Sequence, residues 1–418
     1  MATTALNLAG VTVSADGPAR TRAGERVAAA VTITNTSAAR VPPLVLQAII
    51  DGDQELDAPA ACQILAPGET CALSHEITVG LLSGDEVLAS RIEARYRADG
   101  LAELVTDAAH HAVAIISPWQ KGTGIPAGAG SPTLAVCPAS PDVLYAGFRD
   151  GGVVWSGDAG LSWTATALDE ADVSAVAVDP RECATVYAAA GRDGVMKSED
   201  AGRSWEPASR GLAGAGVTSV AVDSDNPDVV YAGTDQQGVY RSGDGGASWR
   251  PWGLRSLTVT DLSVTADGEG LVAATNADGV HRRLDRGPLG GSWEAVNEGI
   301  DEEDREVYAV AVDPRDGDIV FAATSGGVYR TLDGGATWRC VLSSPRPAYA
   351  VAVDPDDGDI VYAGTAGGVY RSVRGGAPWS WESFDPWLED LAVRSVVVGP
   401  GASVVHLGTA DGAWRHER

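Results

Sequence analysis

Lysine is nearly missing from this chain. Of 30 basic residues only Lys121 and Lys197 are lysines, and 57 acidic residues leave a formal net charge of −27. A surface this acidic repels phosphate backbones and anionic headgroups, which argues against nucleic acid as a partner. Long apolar runs are missing as well. No stretch approaches the roughly 20 residues that a helix needs to cross a bilayer, so membrane insertion is not expected. The opening MATTALNLAGVTVSADG shows no basic segment followed by an apolar one, the pattern of a secretory signal. The five cysteines form no Cys-x-x-Cys or Cys/His cluster, and the His110–His111 pair has no acidic or cysteine companion at ligand spacing. There is no phosphate-cradling loop, nucleophile elbow or zinc motif, so no cofactor is expected. The acidity and the lysine scarcity are also what a salty habitat, simple solubility or a GC-rich genome would produce.

What is present is length, apolar residues and glycine. At 418 residues the chain has room for two or three domains, and 44% apolar residues supply a sizeable core, which rules out a disordered chain. The 51 glycines are distributed with a period. The phrase SGDGGASW (242–249) returns as SGDAGLSW (156–163), SEDAGRSW (198–205) and TLDGGATW (331–338). Trp163, Trp205, Trp249, Trp293 and Trp338 therefore recur every 42 to 45 residues. Between them a second phrase repeats, of the form VAVDSDNPDVVYAGTDQQGVYRSGD. It holds three short β-branched runs separated by Asp-Pro, Asp-Gly or Gly-Gly turns. With the run that follows each tryptophan this makes four antiparallel strands in about 40–50 residues, which is one propeller blade.

First-strand phrases occur at 134–136, 176–178, 220–222, 262–264, 310–312, 351–353 and 396–398, so the ring has seven blades. The seventh unit ends after three strands. PWQKGTGIPAGAGSPTLAVCP (118–138) superposes without a gap on SWEPASRGLAGAGVTSVAVDS (204–224), and this predicts that Trp119 to about Gly124 supplies the missing strand. Such closure removes the exposed edges of an open sheet.

The box falls at the turn between third and fourth strands. Asp158, Asp200, Asp244 and Asp333 are placed to accept backbone N–H groups there, the glycines to take positive φ, and the Ser/Thr hydroxyls to add a local bond. Trp163, Trp205, Trp249 and Trp338 are large enough to pack between blades. Copies spaced around a ring suit structure better than catalysis, which needs one set of groups converging on one point. Two copies are degenerate: Asp285 sits eight residues before Trp293 instead of five, and in SVRGGAPW the Asp position is Arg374, which is expected to remove that turn's anchor.

Over residues 117–418 these boxes resemble the BNR or Asp-box propellers, a group that includes sialidases, xyloglucanases, the sortilin luminal domain and photosystem II assembly-factor propellers. The resemblance implies the fold and leaves the activity open. A sialidase needs an arginine cluster, a Tyr–Glu pair and an Asp acid, and normally an Arg-Ile-Pro motif; here Gly124 precedes Ile125–Pro126. Xyloglucanases place paired carboxylates between two propellers, and this chain holds one.

Residues 1–115 differ in texture. LNLAGVTVSA, RVAAAVTITNTS, PLVLQAIIDG, CALSHEITV, VLASRIEARYRA and ELVTDAAHHAVAII read as six or seven strands of an Ig-like sandwich, which makes the whole chain all-β: a sandwich over 1–115 and a seven-bladed propeller over 116–418. VTITNTS followed by CQILAPGETC resembles the Ig-like modules of bacterial surface proteins. That resemblance implies a Cys62–Cys71 disulfide and extracellular or cell-surface use. The absence of a signal favours two reduced cysteines in a cytosolic protein, and both settings remain open.

In a propeller the loops from fourth to first strand and from second to third share one face, where ligands usually bind. That face is expected to carry Arg149, Arg192, Asp235 and Gln237 on the second-to-third loops. The longer loops are expected to add Trp252, Arg255, Arg346 and Trp387. Exposed aromatics beside arginines and carboxylates suit a protein partner or a glycan. The reading that follows is a non-enzymatic binding or scaffold protein, with carbohydrate binding or glycoside hydrolysis at the same face as the alternative.

Overall fold

The computed structural model describes residues 119–417 apart from 127, 129, 213, 266, 267, 269, 285–290, 345, 385–387, 389, 390, 402 and 403, and before them the strands between residues 11 and 116. The chain divides into two compact units, Met1–Pro118 and Trp119–Arg418. In the first, Val11–Asp16, Arg26–Asn35 and Thr70–Thr78 form one antiparallel sheet. A second sheet runs from Arg20–Arg22 through Leu104–Ile116 and Val87–Ala98 to Leu44–Asp51. The expected Cys62–Cys71 bridge involves Cys62, which lies outside the described residues; Cys71 is disulfide-bonded.

The second unit is a seven-bladed all-β propeller, each blade a four-stranded antiparallel sheet. Blade 1 comprises Thr133–Cys137, Ser140–Phe148, Gly152–Ser156 and Thr164–Ala165. Blades 2 to 6 begin at Ala175, Val217, Val259, Val307 and Ala348. Blade 7 comprises Val393–Val398, Val404–Thr409 and Gly412–Glu417, and its outer strand is Trp119–Lys121 from the other end of the unit. The pairing Trp119↔His416 and Lys121↔Trp414 closes the ring as the superposition of repeats predicts. Lys121 adds an ion pair with Asp411 at 2.7 Å, and Trp119 is buried against Phe384 and His416.

The box turns show why the phrase repeats. In blade 3, Ser242 Oγ donates to Asp244 Oδ1 and accepts the Gly246 N–H, while Asp244 accepts the Ser248 N–H on Oδ1 and the Ser248 hydroxyl on Oδ2. The same four bonds recur at Asp158, Asp200 and Asp333. The Ser248 and Ser242 hydroxyls hold the Asp244 carboxyl at about 2, and the Thr331 and Thr337 hydroxyls do the same for Asp333. Four tryptophans then reach back one blade: Trp205 Nε1 donates to the Thr166 hydroxyl at 3.2 Å, Trp249 to the Ala208 carbonyl at 2.7 Å, Trp293 to Trp252 at 3.0 Å and Trp338 to Val296 at 2.7 Å, whereas Trp163 donates to the Gly160 carbonyl of its own turn. Gly124, Gly211 and Gly299 lie directly against the carbonyls of Trp163, Trp249 and Trp338 at φ of 83°, 103° and 91°, where a Cβ would collide.

Blade 6 corrects one expectation. The turn with Arg374 in place of Asp keeps an anchor: Ser372 Oγ pairs with Ser380 Oγ at 2.6 Å and accepts the Gly376 N–H. Two extra residues accompany this exchange. Trp381, which pairs with Ser372, takes the packing position, while Trp379 is 98% exposed at φ 67°. A second departure is the Cys137–Cys183 disulfide, Cα–Cα 5.5 Å, joining blade 1 to blade 2. The two cysteines are 46 residues apart, close to one repeat, so adjacent blades bring them together. Asp285 lies outside the described residues.

Candidate binding site at the channel mouth

The first strands of consecutive blades are neighbours all round the ring and enclose an axial channel. Where these strands begin, the channel opens into a cavity of about 780 Å³, on the face shared by the fourth-to-first and second-to-third loops. In blades 3 to 7 the first strand carries a β-bulge on entry: the register skips Thr218, Thr260, Tyr308, Tyr349 and Arg394. A bulge kinks its strand and re-aims the extra side chain. Blade 2 has Ser174 at the matching place, and blade 1 has Pro132.

The position divides the mouth into two halves. In blades 2 to 4 short hydroxyls are tied to the next blade: Ser174 Oγ donates to the Val217 carbonyl, Thr218 Oγ1 to Val259 at 2.5 Å and Thr260 Oγ1 to Val307 at 2.6 Å. In blades 5 to 7 the same position carries large groups that stack on one another. The Tyr308 and Tyr349 rings meet edge to face at 5.3 Å, and the Arg394 guanidinium lies 4.4 Å above the Tyr349 ring. Both tyrosines are half-buried and Arg394 is exposed. Burial and Glu306 push the Tyr308 hydroxyl up to about 12, so it stays protonated.

One position further on, Asp261 lines the cavity, where the other blades have Thr133, Ala175, Ser219, Ala309, Ala350 and Ser395. Its Oδ2 accepts the Val310 N–H of the next blade at 3.0 Å and its Oδ1 the Leu262 N–H at 2.8 Å. Burial pushes its carboxyl up to about 6, against these two amides. Ser395 plays the matching part at the ring junction by accepting the Leu134 N–H.

Of the residues singled out in the sequence, Arg149 and its neighbour Asp150 line this cavity. Arg192 and Arg255 are exposed on turns of the same face, away from the cavity lining. Asp235 accepts the Thr258 hydroxyl, Gln237 accepts the Tyr240 hydroxyl, and Arg346 donates to the Ala366 carbonyl. The Asp235 and Arg346 bonds tie neighbouring loops together, and the Gln237 bond stays within its own hairpin. Trp252 is not on a loop. It lies in the outer strand Arg250–Gly253, half-buried toward blade 4, with the guanidiniums of Arg241, Arg250 and Arg283 at 5.1, 4.8 and 4.3 Å from its ring. Trp387 lies outside the described residues. The sequence reading missed Tyr308, Tyr349, Arg394 and Asp261. The signal for the first three was in the repeat itself, as the place where Ser or Thr gives way to Tyr, Tyr and Arg.

No family model matches the sequence, and no curated protein matches it. Solved structures share the propeller. A GH74 enzyme from Niastella koreensis aligns with TM-score 0.52 and 20% identity over 68% of this chain and 51% of its own. The GH74 xyloglucanase from Xanthomonas campestris aligns with TM-score 0.54 and 20% identity over 79% and 58%. This chain thus spans about half the length of the first and somewhat more of the second. YCF48 from Cyanidioschyzon merolae aligns with TM-score 0.53 and 16% identity over 72% of this chain and 99% of its own. YCF48 has also been solved bound to D1 peptide. At these identities the likeness shows the fold alone, a fold that glycoside hydrolases and YCF48 share.

Proposed function

We propose that this protein is a non-enzymatic binding or scaffold protein that presents the loop face of its propeller, centred on the channel mouth, to a protein partner. The observation that carries this reading is what the mouth contains. It has a stacked Tyr308–Tyr349–Arg394 cluster of the kind that anchors interfaces, beside hydroxyls already committed to the next blade. Glycoside hydrolysis generally uses two carboxyl groups about 5–9.5 Å apart and free to act on substrate. Among the described lining residues the carboxylates are Asp150 and Asp261, and both Asp261 oxygens are held by backbone amides. The four matching box turns support a place among the Asp-box propellers, and the two sheets of residues 11–116 support an Ig-like sandwich over 1–115 beside a propeller over 116–418. The Cys137–Cys183 bridge supports an oxidising, extracytoplasmic setting.

Carbohydrate recognition is the second reading, favoured by the paired tyrosine rings, which offer a sugar an aromatic surface. The test is affinity capture followed by measurement of Kd with the isolated partner. A Tyr308→Ala, Tyr349→Ala, Arg394→Ala variant is expected to bind about tenfold or more weakly, whereas Arg192→Ala with Arg255→Ala changes little. Turnover of xyloglucan or another polysaccharide by the wild type would overturn the non-enzymatic reading.

A further inference from the structure

The half of the mouth formed by blades 5 to 7 holds a guanidinium that pairs with no described carboxylate. Arg394 stacks on Tyr349 and makes no ion pair or hydrogen bond with another described residue. Two described carboxylates near the mouth act on other groups. Asp261 accepts the Val310 and Leu262 amide N–H groups, and the Glu306 charge acts on the Tyr308 hydroxyl. The other guanidinium lining the cavity, Arg149, also makes no ion pair with a described residue. In a chain of net charge −27, the described lining of this cavity balances Arg149 and Arg394 against Asp150 and Asp261, and neither arginine makes an ion pair with a described residue. A planar guanidinium presents paired N–H donors that match a carboxylate, and a neighbouring aromatic surface covers a flat apolar group. The cavity volume of about 780 Å³ falls within the range of small-molecule sites, roughly 300–1,000 Å³.

We propose that the channel mouth takes a carboxylate carried on a flat apolar body, with Arg394 meeting the carboxylate and Tyr349 and Tyr308 covering the body. This rests on the mouth being the binding site, and it names the chemistry that site selects. The carboxylate has two possible sources, a free small acid or an acidic group of the macromolecular partner.

The test is calorimetric titration of the full chain with three probes: naphthalene-2-carboxylate, the uncharged naphthalene-2-methanol, and acetate. The aromatic acid is expected to bind at least about tenfold more tightly than either of the others. Arg394→Gln is expected to remove that preference while leaving the alcohol unchanged, and Tyr349→Leu to weaken acid and alcohol together. Because Arg394 is exposed, its variant should keep the wild-type melting temperature, which thermal denaturation checks. Equal binding of acid and alcohol, no binding of either, or an unchanged acid affinity in Arg394→Gln would each overturn the proposal.

Partner binding is measured separately. A partner that binds a chain indifferent to the acid sinks only this inference; a chain that binds the acid and no macromolecule sinks only the scaffold reading. Where both bind, displacement of the partner by the acid assigns the site to an acidic group of the partner. Simultaneous binding assigns it to a free acid.

Discussion

His406 shows how a repeat position can be filled by an exception. It pairs across the strand with Arg415 where other blades pair Tyr187 with Lys197, Tyr231 with Arg241, Phe321 with Arg330 and Tyr362 with Arg371. Burial, helped by the nearby Arg415 charge, lowers the imidazole to about 3. The unfolded chain therefore takes up a proton near pH 6.5 that the folded chain refuses until about pH 3. The neutral ring's contribution is complete above pH 6.5 and is lost as pH falls through that window, by up to about 1.4 kcal/mol per pH unit. His406→Phe, which restores the aromatic pattern, should flatten the fall in stability between pH 6.5 and 4, as urea unfolding at a series of pH values would show. A variant with the wild-type pH slope would mean that His406 titrates normally. Nothing in the sequence marks this histidine, because its pKa depends on burial. Asp158, Asp200, Asp244 and Asp333, by contrast, were legible, since all their partners lie within four residues.

Trp252 draws the line between element and site. In sequence, PWGLRS looks like a loop carrying an exposed aromatic beside an arginine. In the fold the outer strand of blade 3 runs to Gly253, so Trp252 packs toward blade 4 and its carbonyl accepts the Trp293 indole N–H. Trp252→Ala is therefore expected to cost up to about 3 kcal/mol, less than a fully buried tryptophan because the side chain is only partly buried, and to leave binding at the channel mouth unchanged. Denaturant unfolding and a titration with the partner, run on one preparation, separate the two effects. Weakened binding at unchanged stability would return Trp252 to the interface. The turn of blade 6 makes the same point: with Pro378 and Trp379 available, spacing alone selects Trp379 as the box tryptophan, whereas packing selects Trp381.

The ring as a whole depends on three residues far away in sequence. Trp119–Lys121 supplies the outer strand of blade 7, and Trp119 is 3% exposed among Phe384, His416 and the core of that blade. Trp119→Ala should destabilise the propeller by about 3–5 kcal/mol. It should also increase protease cleavage in 393–417, because the blade then lacks its fourth strand. Unchanged protection there would mean that the seventh blade stands on three strands.

Blade number, closure and the box turns were decided by sequence alone, because each rests on contacts within one repeat or on the repeat count itself. The strand alternation, the turn residues and the missing fourth strand all lie in local order. The channel mouth was decided by tertiary structure. Tyr308, Tyr349 and Arg394 are about one repeat apart in the chain and become neighbours only when the seven first strands, bulged in blades 3 to 7, are wound around one axis. The Cys137–Cys183 bridge and the Val310 contact of Asp261 Oδ2 have the same origin, since each partner comes from the adjacent blade. Local order specifies the blade, and the ring specifies what the blades bring together.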